Sequence, residues 1–258
     1  MECPVYVFIN MKGENMIDVI QFFNEMTVNV FTDASVKHHP NGITESIAGA
    51  LVQYYDSNGQ IKYDTRCTRL MPSTNNEGEI YAIYMGIQQC ISHMNANPRT
   101  KFVYNIFSDS KISISGLREW YKGWIKNGRP KGILMNSSGD PIANQQIFLM
   151  CMNSIIISNI KIQFWHVRGH MRVNSEHDIR KFMEDFRRYN STSERPTIEL
   201  SQTMMRFNDI IDNLSRDMLT PYEGDEIKIK KEFLFSHDMG LLANNQKRYT
   251  ALIRQPSL

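Results

Sequence analysis

The sequence predicts an α/β protein in which a mixed five-stranded sheet is flanked by helices, followed by a mainly helical segment. Three observations predict it. Three runs rich in β-branched and aromatic residues, Val28–Asp33, Ala48–Tyr55 and Lys62–Leu70, lie close together, with the hairpin signal Asp56-Ser57-Asn58-Gly59 between the second and third. Beyond them helical and strand patterns alternate, which adds later strands in parallel and covers both faces of the sheet. Two apolar strands also end in aspartate, at Asp33 and Asp109. Open α/β sheets bind ligands in the crevice at such carboxyl ends.

The fourth and fifth strands are expected at Lys101–Phe107 and Lys161–Val167. A helix is expected at Glu77–Met94, where Ile80, Ile83, Tyr84, Ile87, Cys90 and Ile91 share a face and Ser73-Thr74-Asn75-Asn76 supply capping groups. Further helices are expected at Ser110–Trp120, briefly through Trp124, at Asn144–Ser154, and at Glu176–Tyr189 with Ile179, Phe182, Met183 and Phe186 on one face. The expected organisation is an N-terminal extension over residues 1–26, a main domain over 27–190 and a C-terminal extension over 191–258. The first holds the apolar run Val5–Ile9 and a helix around Met16–Met26. In the last, Leu200, Met204, Phe207, Ile211, Leu214 and Met218 recur four and three residues apart, and Glu226–Lys230 alternates like a strand.

Composition narrows the class. With 258 residues and 41% hydrophobic content the chain can bury a sizeable core. A net charge of +2 does not announce a polyanion binder, but between Lys111 and Lys131 six basic residues (Lys111, Arg118, Lys122, Lys126, Arg129, Lys131) face only Glu119, a local excess of five (six minus one). Such a cluster neutralises phosphates. Cys3, Cys67, Cys90 and Cys151 show no pair spacing, which argues for reduced thiols and against a disulfide framework; His38, His39 and His177 have no cysteine partner for a zinc site. The N-terminal apolar run is too short for a signal peptide and no segment is long enough to span a membrane, so a cytoplasmic location is expected.

Four acids stand out by position. Asp33 and Asp109 end central strands, where a charge is poorly placed for stability; Glu79 lies near the start of the first helix, and Asp178 opens the Glu176–Tyr189 helix. Carboxylates converging from distant positions suit hard divalent cations, and a pair of such ions roughly 3.5–4 Å apart can activate water and stabilise a leaving oxygen in phosphoryl transfer. Taken singly, each acid could instead be capping a turn or complementing a helix dipole.

The motifs around these acids resemble, in order, those of the type 1 ribonucleases H, over about Thr27 to Asn190. Thr32-Asp33-Ala34-Ser35 is similar to the family's TDGS, Thr74-Asn75-Asn76-Glu77-Gly78-Glu79 to TNNxxE, and Ser108-Asp109-Ser110 to TDS. Trp165-His166-Val167-Arg168-Gly169-His170 is similar to WxVKGH, and Asn174 with Asp178 to NxxxD. The resemblance implies a ribonuclease H-like fold and cleavage of the RNA strand of RNA–DNA hybrids to 5′-phosphate and 3′-hydroxyl ends. It implies two Mg2+ ions (or Mn2+) on Asp33, Glu79, Asp109 and Asp178, and a mobile His170 assisting proton transfer or product release. Ala34 departs from the family's glycine, and the loop between His170 and Asp178 is short.

The resemblance extends to the basic segment. Gly116, Trp120, Trp124 and Gly128 match the spacing of a tryptophan-bearing arm that grips the DNA strand. Trp120 is expected to pack inward, and Trp124 with Lys111, Lys122 and Lys126 to meet DNA. Thr74, Asn75 and Asn76 are expected on the phosphates and minor groove beside the cut, since hydroxyl and amide groups can bond phosphate oxygens and 2′-hydroxyls; Asn41 is a weaker candidate. Such recognition reads backbone and shape, not base edges. Rival readings are a nuclease of the same fold acting on DNA, resolvase- or integrase-like, and a non-catalytic hybrid-binding protein. The C-terminal stripe fits either a helix packed back on the domain or a contact with a second copy or a replication protein. Sixteen methionines and the two extensions suggest a phage or viral source.

Overall fold

The computed structural model describes residues 16–17, 22–40, 42, 44–193, 195–219 and 239–253. The Val5–Ile9 run and the Glu226–Lys230 alternation lie outside them. At Met16–Ile17, where a helix is expected, a two-residue strand β1 pairs in parallel with β7 (Arg195–Pro196).

The main sheet has the expected five strands, β2 (Thr27–His38), β3 (Thr44–Tyr55), β4 (Ile61–Leu70), β5 (Val103–Ser108) and β6 (Ile162–His166), in the order β4-β3-β2-β5-β6. β3 and β4 are antiparallel additions to β2, whereas β5 and β6 run parallel to it. The Asp56–Gly59 turn closes the β3–β4 hairpin, with Asp56 Oδ1 accepting from the Asn58 and Gln60 amides and Gly59 at φ 72°. β2 does not end at Asp33 as expected. Pairing with β5 stops at Thr32↔Ser108, but pairing with β3 continues to His38↔Thr44. Asp33 is therefore the first residue past the parallel ladder, where the β2–β5 crevice opens.

Alternation along β2 divides the core. Val28 and Val30 face one side, against α1 (Asn75–Ala96) and α4 (Gln145–Ser158); Phe31 faces the other, against α5 (Glu176–Asn190) and α6 (Ile198–Asp217). On this second face Asn29, Gln53, Asn105 and Trp165 form a buried hydrogen-bonded row across four strands, with bonds of 2.8–3.0 Å. Each polar group there has a partner, so its burial carries little penalty.

Between β5 and α4 lie α2 (Lys111–Ser115), a π-helical turn over Gly116–Trp120 and α3 (Tyr121–Gly128). Gly116 lets these pack tightly, since a Cβ there would stand 2.7 Å from the Trp124 ring and 2.6 Å from Phe148.

The C-terminal segment packs on both sides of the domain, on the sheet itself and on the outer side of α4. On α6, Leu200, Met204, Met205 and Ile211 are buried in one cluster with Phe31, Phe107 and Trp165, each side chain contributing about 1.5–3 kcal/mol. Phe207 stacks on Phe31 at 5.0 Å, while the stripe's end, Leu214 and Met218, is exposed. On the other side, α7 (Met239–Asn244) and α8 (Gln246–Leu252) bring in Tyr249, whose hydroxyl donates to the Leu117 carbonyl at 2.8 Å. Cys67, Cys90 and Cys151 are free thiols, and among the described residues no helix is long and apolar enough to cross a membrane.

Candidate metal centre

Three of the four expected acids converge. Carboxylate oxygens of Asp33, Glu79 and Asp109 all lie within 4.8 Å of one another. Asp33 comes from the β2 position just described, Asp109 from the residue after β5, and Glu79 from the start of α1. Thr74 caps that helix, its Oγ1 accepting from the Glu77 amide at 3.2 Å. Gly78 lets α1 approach, because a Cβ there would stand 2.9 Å from the Ala34 Cβ. The alanine that departs from the family pattern thus occupies space that Gly78 leaves open. Gly169 makes a second close approach, with a Cβ position only 2.0 Å from Asp109 Oδ2.

The cluster is electrostatically uncomfortable. Burial, followed by the charges of Asp109 and Asp212, pushes Asp33 up to about 8. Burial and then the Asp33, Asp109 and Asp212 charges hold Glu79 well above its ordinary range, and its buried Oε2 has no hydrogen-bond partner. Asp109 is raised by burial, opposed by His170 and by a hydrogen bond from the Asn208 side chain. Packed carboxylates with an orphaned buried oxygen fit a divalent cation, which would supply the missing positive charge.

This predicts an unusual stability profile. Between its ordinary 3.8 and about 8, folded Asp33 retains a proton that the unfolded chain has released, so stability falls as pH rises through that window. His166, lowered to about 4 by burial, acts in the opposite sense, but only below its ordinary 6.5. In EDTA, the melting temperature therefore drops by several degrees from pH 6.5 to 8, and Asp33→Asn flattens the slope. A wild-type melting temperature that climbs over this interval would refute the cause.

Asp178 is not in the cluster. It sits in the first turn of α5, where its Oδ2 accepts from Arg172 Nε at 2.8 Å and from the Arg172 amide at 3.1 Å; these bonds hold it below the usual carboxylate range. Asp212 of α6 stands at the site instead. It hydrogen-bonds the Asp33 side chain, and its Oδ2 lies 3.7 Å from His170 Nδ1. His170 is exposed and holds a left-handed φ of 54°. His166, neutral at physiological pH, lies with Nε2 3.1 Å from the Asp109 carbonyl, positioning that turn. Asn208 and Asp212 repeat the NxxxD spacing of Asn174 and Asp178, a signal in the sequence that could have found them, whereas His166 carries no individual signature. A further hint is that Asn208 and Ser215 fall at core-facing spacing with Met204 and Ile211, where polar residues need partners.

Around the cluster, Thr74, Asn75 and Asn76 are exposed at the α1 N-terminus. Lys111, Lys122 and Lys126 are exposed as well, the first with its Nζ 4.6 Å from the Tyr189 ring centre. The tryptophans exchange their expected places. Trp124 is buried against Gly116 and Phe148, with ring centres 5.0 Å apart, and Trp120 is 42% exposed. Asn41 lies outside the described residues.

The chain is 32% identical over 97 residues to human Ribonuclease H1, covering 38% of this chain and 29% of that protein. It is 27% identical over 146 residues to a Ribonuclease H of Legionella pneumophila (strain Corby), covering 56% of this chain and 85% of that protein. The chain thus spans less than a third of the human relative's length. A foamy viral protease-reverse transcriptase, solved in complex with RNA/DNA hybrid, shares the fold with a TM-score of 0.51 at 15% identity, over 83% of this chain and 22% of that one. The RNase H family model matches residues 25–179, more than half of the chain and all of the sheet, and the chain belongs to the RNase H family.

Proposed function

We propose that this protein is a divalent-metal-dependent endonuclease that hydrolyses the RNA strand of RNA–DNA hybrids, leaving 5′-phosphate and 3′-hydroxyl ends. The observation that carries the reading is the convergence of Asp33, Glu79 and Asp109, with a buried Glu79 oxygen left without a hydrogen-bond partner. Asp33 and Asp109 would hold most of two Mg2+ ions, for which Mn2+ can substitute, and Glu79 would hold the ion nearer the leaving group. Ions held there supply Lewis acidity for water and compensating charge for the departing oxygen.

The chain's own groups do the rest. Gly169 and His166 fix where the Asp109 carboxylate points. Exposed His170 stands beside the acids, its Nδ1 3.7 Å from Asp212 Oδ2, and an imidazole there suits proton transfer or product release. Thr74, Asn75 and Asn76 present hydroxyl and amide groups suited to 2′-hydroxyls and phosphates beside the cut, while Lys111, Lys122, Lys126 and exposed Trp120 suit the opposite strand's backbone. Buried Trp124 supports that arm from beneath.

A cleavage assay tests the reading with labelled hybrid, duplex DNA, duplex RNA and a four-way junction, each with Mg2+ and with Mn2+. Cutting confined to the RNA strand of the hybrid is expected. Preference for the junction would indicate a DNA nuclease on the same fold, and hybrid binding without cutting in either metal would indicate a scaffold.

A further inference from the structure

We infer that the fourth carboxylate of the site is Asp212, delivered by α6 from beyond the family-matched segment, and that the functional unit therefore runs through residue 217. This rests on the proposed metal-dependent function.

Strand alternation supplies the geometry. Asp33 shares the sheet face of Phe31, the face that α6 covers. Its cross-strand partner is Gly49, and α6 lies directly on that glycine: a Cβ there would stand 2.8 Å from Ile211 Cδ1 and 2.6 Å from Ser215 Oγ. With 211 and 215 seated on Gly49, residue 212 is brought over Asp33, and the side chains of Asp33 and Asp212 share a hydrogen bond.

One turn earlier, Asn208 hydrogen-bonds Asp109, so two successive turns of α6 engage two different acids of the cluster. The orphaned, buried Glu79 oxygen is an independent sign that the cluster awaits a cation.

The helix end is tied down. Arg69 donates to the Met218 carbonyl at 2.9 Å and Lys37 to the Leu219 carbonyl at 3.3 Å, binding the α6 C-terminus to β4 and β2. Cations at a helix C-terminus satisfy its free carbonyls. Asp212 also pairs with Arg216, an exposed (i, i+4) partner of the kind worth only a few tenths of a kcal/mol and readily surrendered. Arg172 on Asp178 is equally exposed, so partner strength does not separate the two acids. Position does: Asp212 belongs to the helix seated on Gly49, the cross-strand partner of Asp33, and its Oδ2 lies 3.7 Å from His170 Nδ1.

The test uses full-length protein and its Asp212→Asn, Asp178→Asn and Asp33→Asn variants. Mn2+ binding is measured by calorimetry and by electron paramagnetic resonance, beside circular dichroism as a fold check and hybrid cleavage. Asp212→Asn is expected to weaken Mn2+ binding about 10- to 100-fold and to slow cleavage, with Asp178→Asn binding Mn2+ like the wild type. Wild-type Mn2+ binding by Asp212→Asn, or an equal loss in Asp178→Asn, overturns the inference. Asp33→Asn separates the two levels. If it too binds Mn2+ like the wild type, the metal-dependent reading itself fails. Should Asp212→Asn not fold, Asp212→Glu serves, with displaced but measurable Mn2+ binding expected and unchanged binding counting against the assignment.

Discussion

Asp33→Asn lowers hybrid cleavage by about 10³-fold or more while hybrid binding persists, because the substitution keeps the shape of the side chain and removes its charge. A loss of about 4 kcal/mol of transition-state stabilisation corresponds to that factor. Asp33 is the acid most closely bound up with the others: it lies within 4.8 Å of Glu79 and Asp109, and it hydrogen-bonds Asp212. The same substitution relieves like-charge crowding in the metal-free protein, so the variant melts higher than wild type in EDTA at pH 8. Lost activity with gained stability distinguishes a functional acid from a structural one. Single-turnover cleavage, gel-shift binding and calorimetry on one preparation would show it; near-wild-type cleavage by a folded variant would sink the assignment of Asp33.

Gly169→Ala is expected to cost about 10²-fold in kcat with little change in KM for hybrid. The added methyl would stand 2.0 Å from Asp109 Oδ2, where ordinary contact begins near 3.4 Å, so the carboxylate must move by more than 1 Å. Displacement on that scale is enough to cost two orders of magnitude. Gly169 does not have a positive φ, so the backbone accepts alanine and the variant folds. Activity within a few-fold of wild type would mean that the Asp109 side chain adapts freely and that the glycine is not a positioning device. Asp109→Asn is the companion measurement, because its loss sets the ceiling against which Gly169→Ala is read.

Much of this site was legible in the chain. Val28 to Asp33 and Phe102 to Asp109 advertise central strands that run into a carboxylate, and Thr74 followed by Glu79 advertises a capped helix with an acid near its start. Both signals are local: strand period, helix period and cap chemistry act over a few residues, so they survive in sequence. A mixed five-stranded sheet followed from three adjacent strands and the helix–strand alternation after them. The extent of β2 past Asp33 did not, because its last residues are held by β3 alone, a partner that local pattern does not identify.

The fourth acid and the tryptophans show the limit. Asp178 and Asp212 are both aspartates on amphipathic helices, each four residues after an asparagine, so spacing does not choose between them; α6 does, because it lies on Gly49, the cross-strand partner of Asp33. Trp120 and Trp124 lie one helical turn apart, and what packs opposite, Gly116 and the ring of Phe148 against Trp124, determines which is buried. The amino-acid sequence by itself determined the strands, the helices and three converging acids, since these depend on short-range periodicity. Tertiary structure alone decided which helix lies over Asp33 and which tryptophan is buried, because burial and orientation depend on what packs opposite, and such partners lie up to 182 residues apart in the chain.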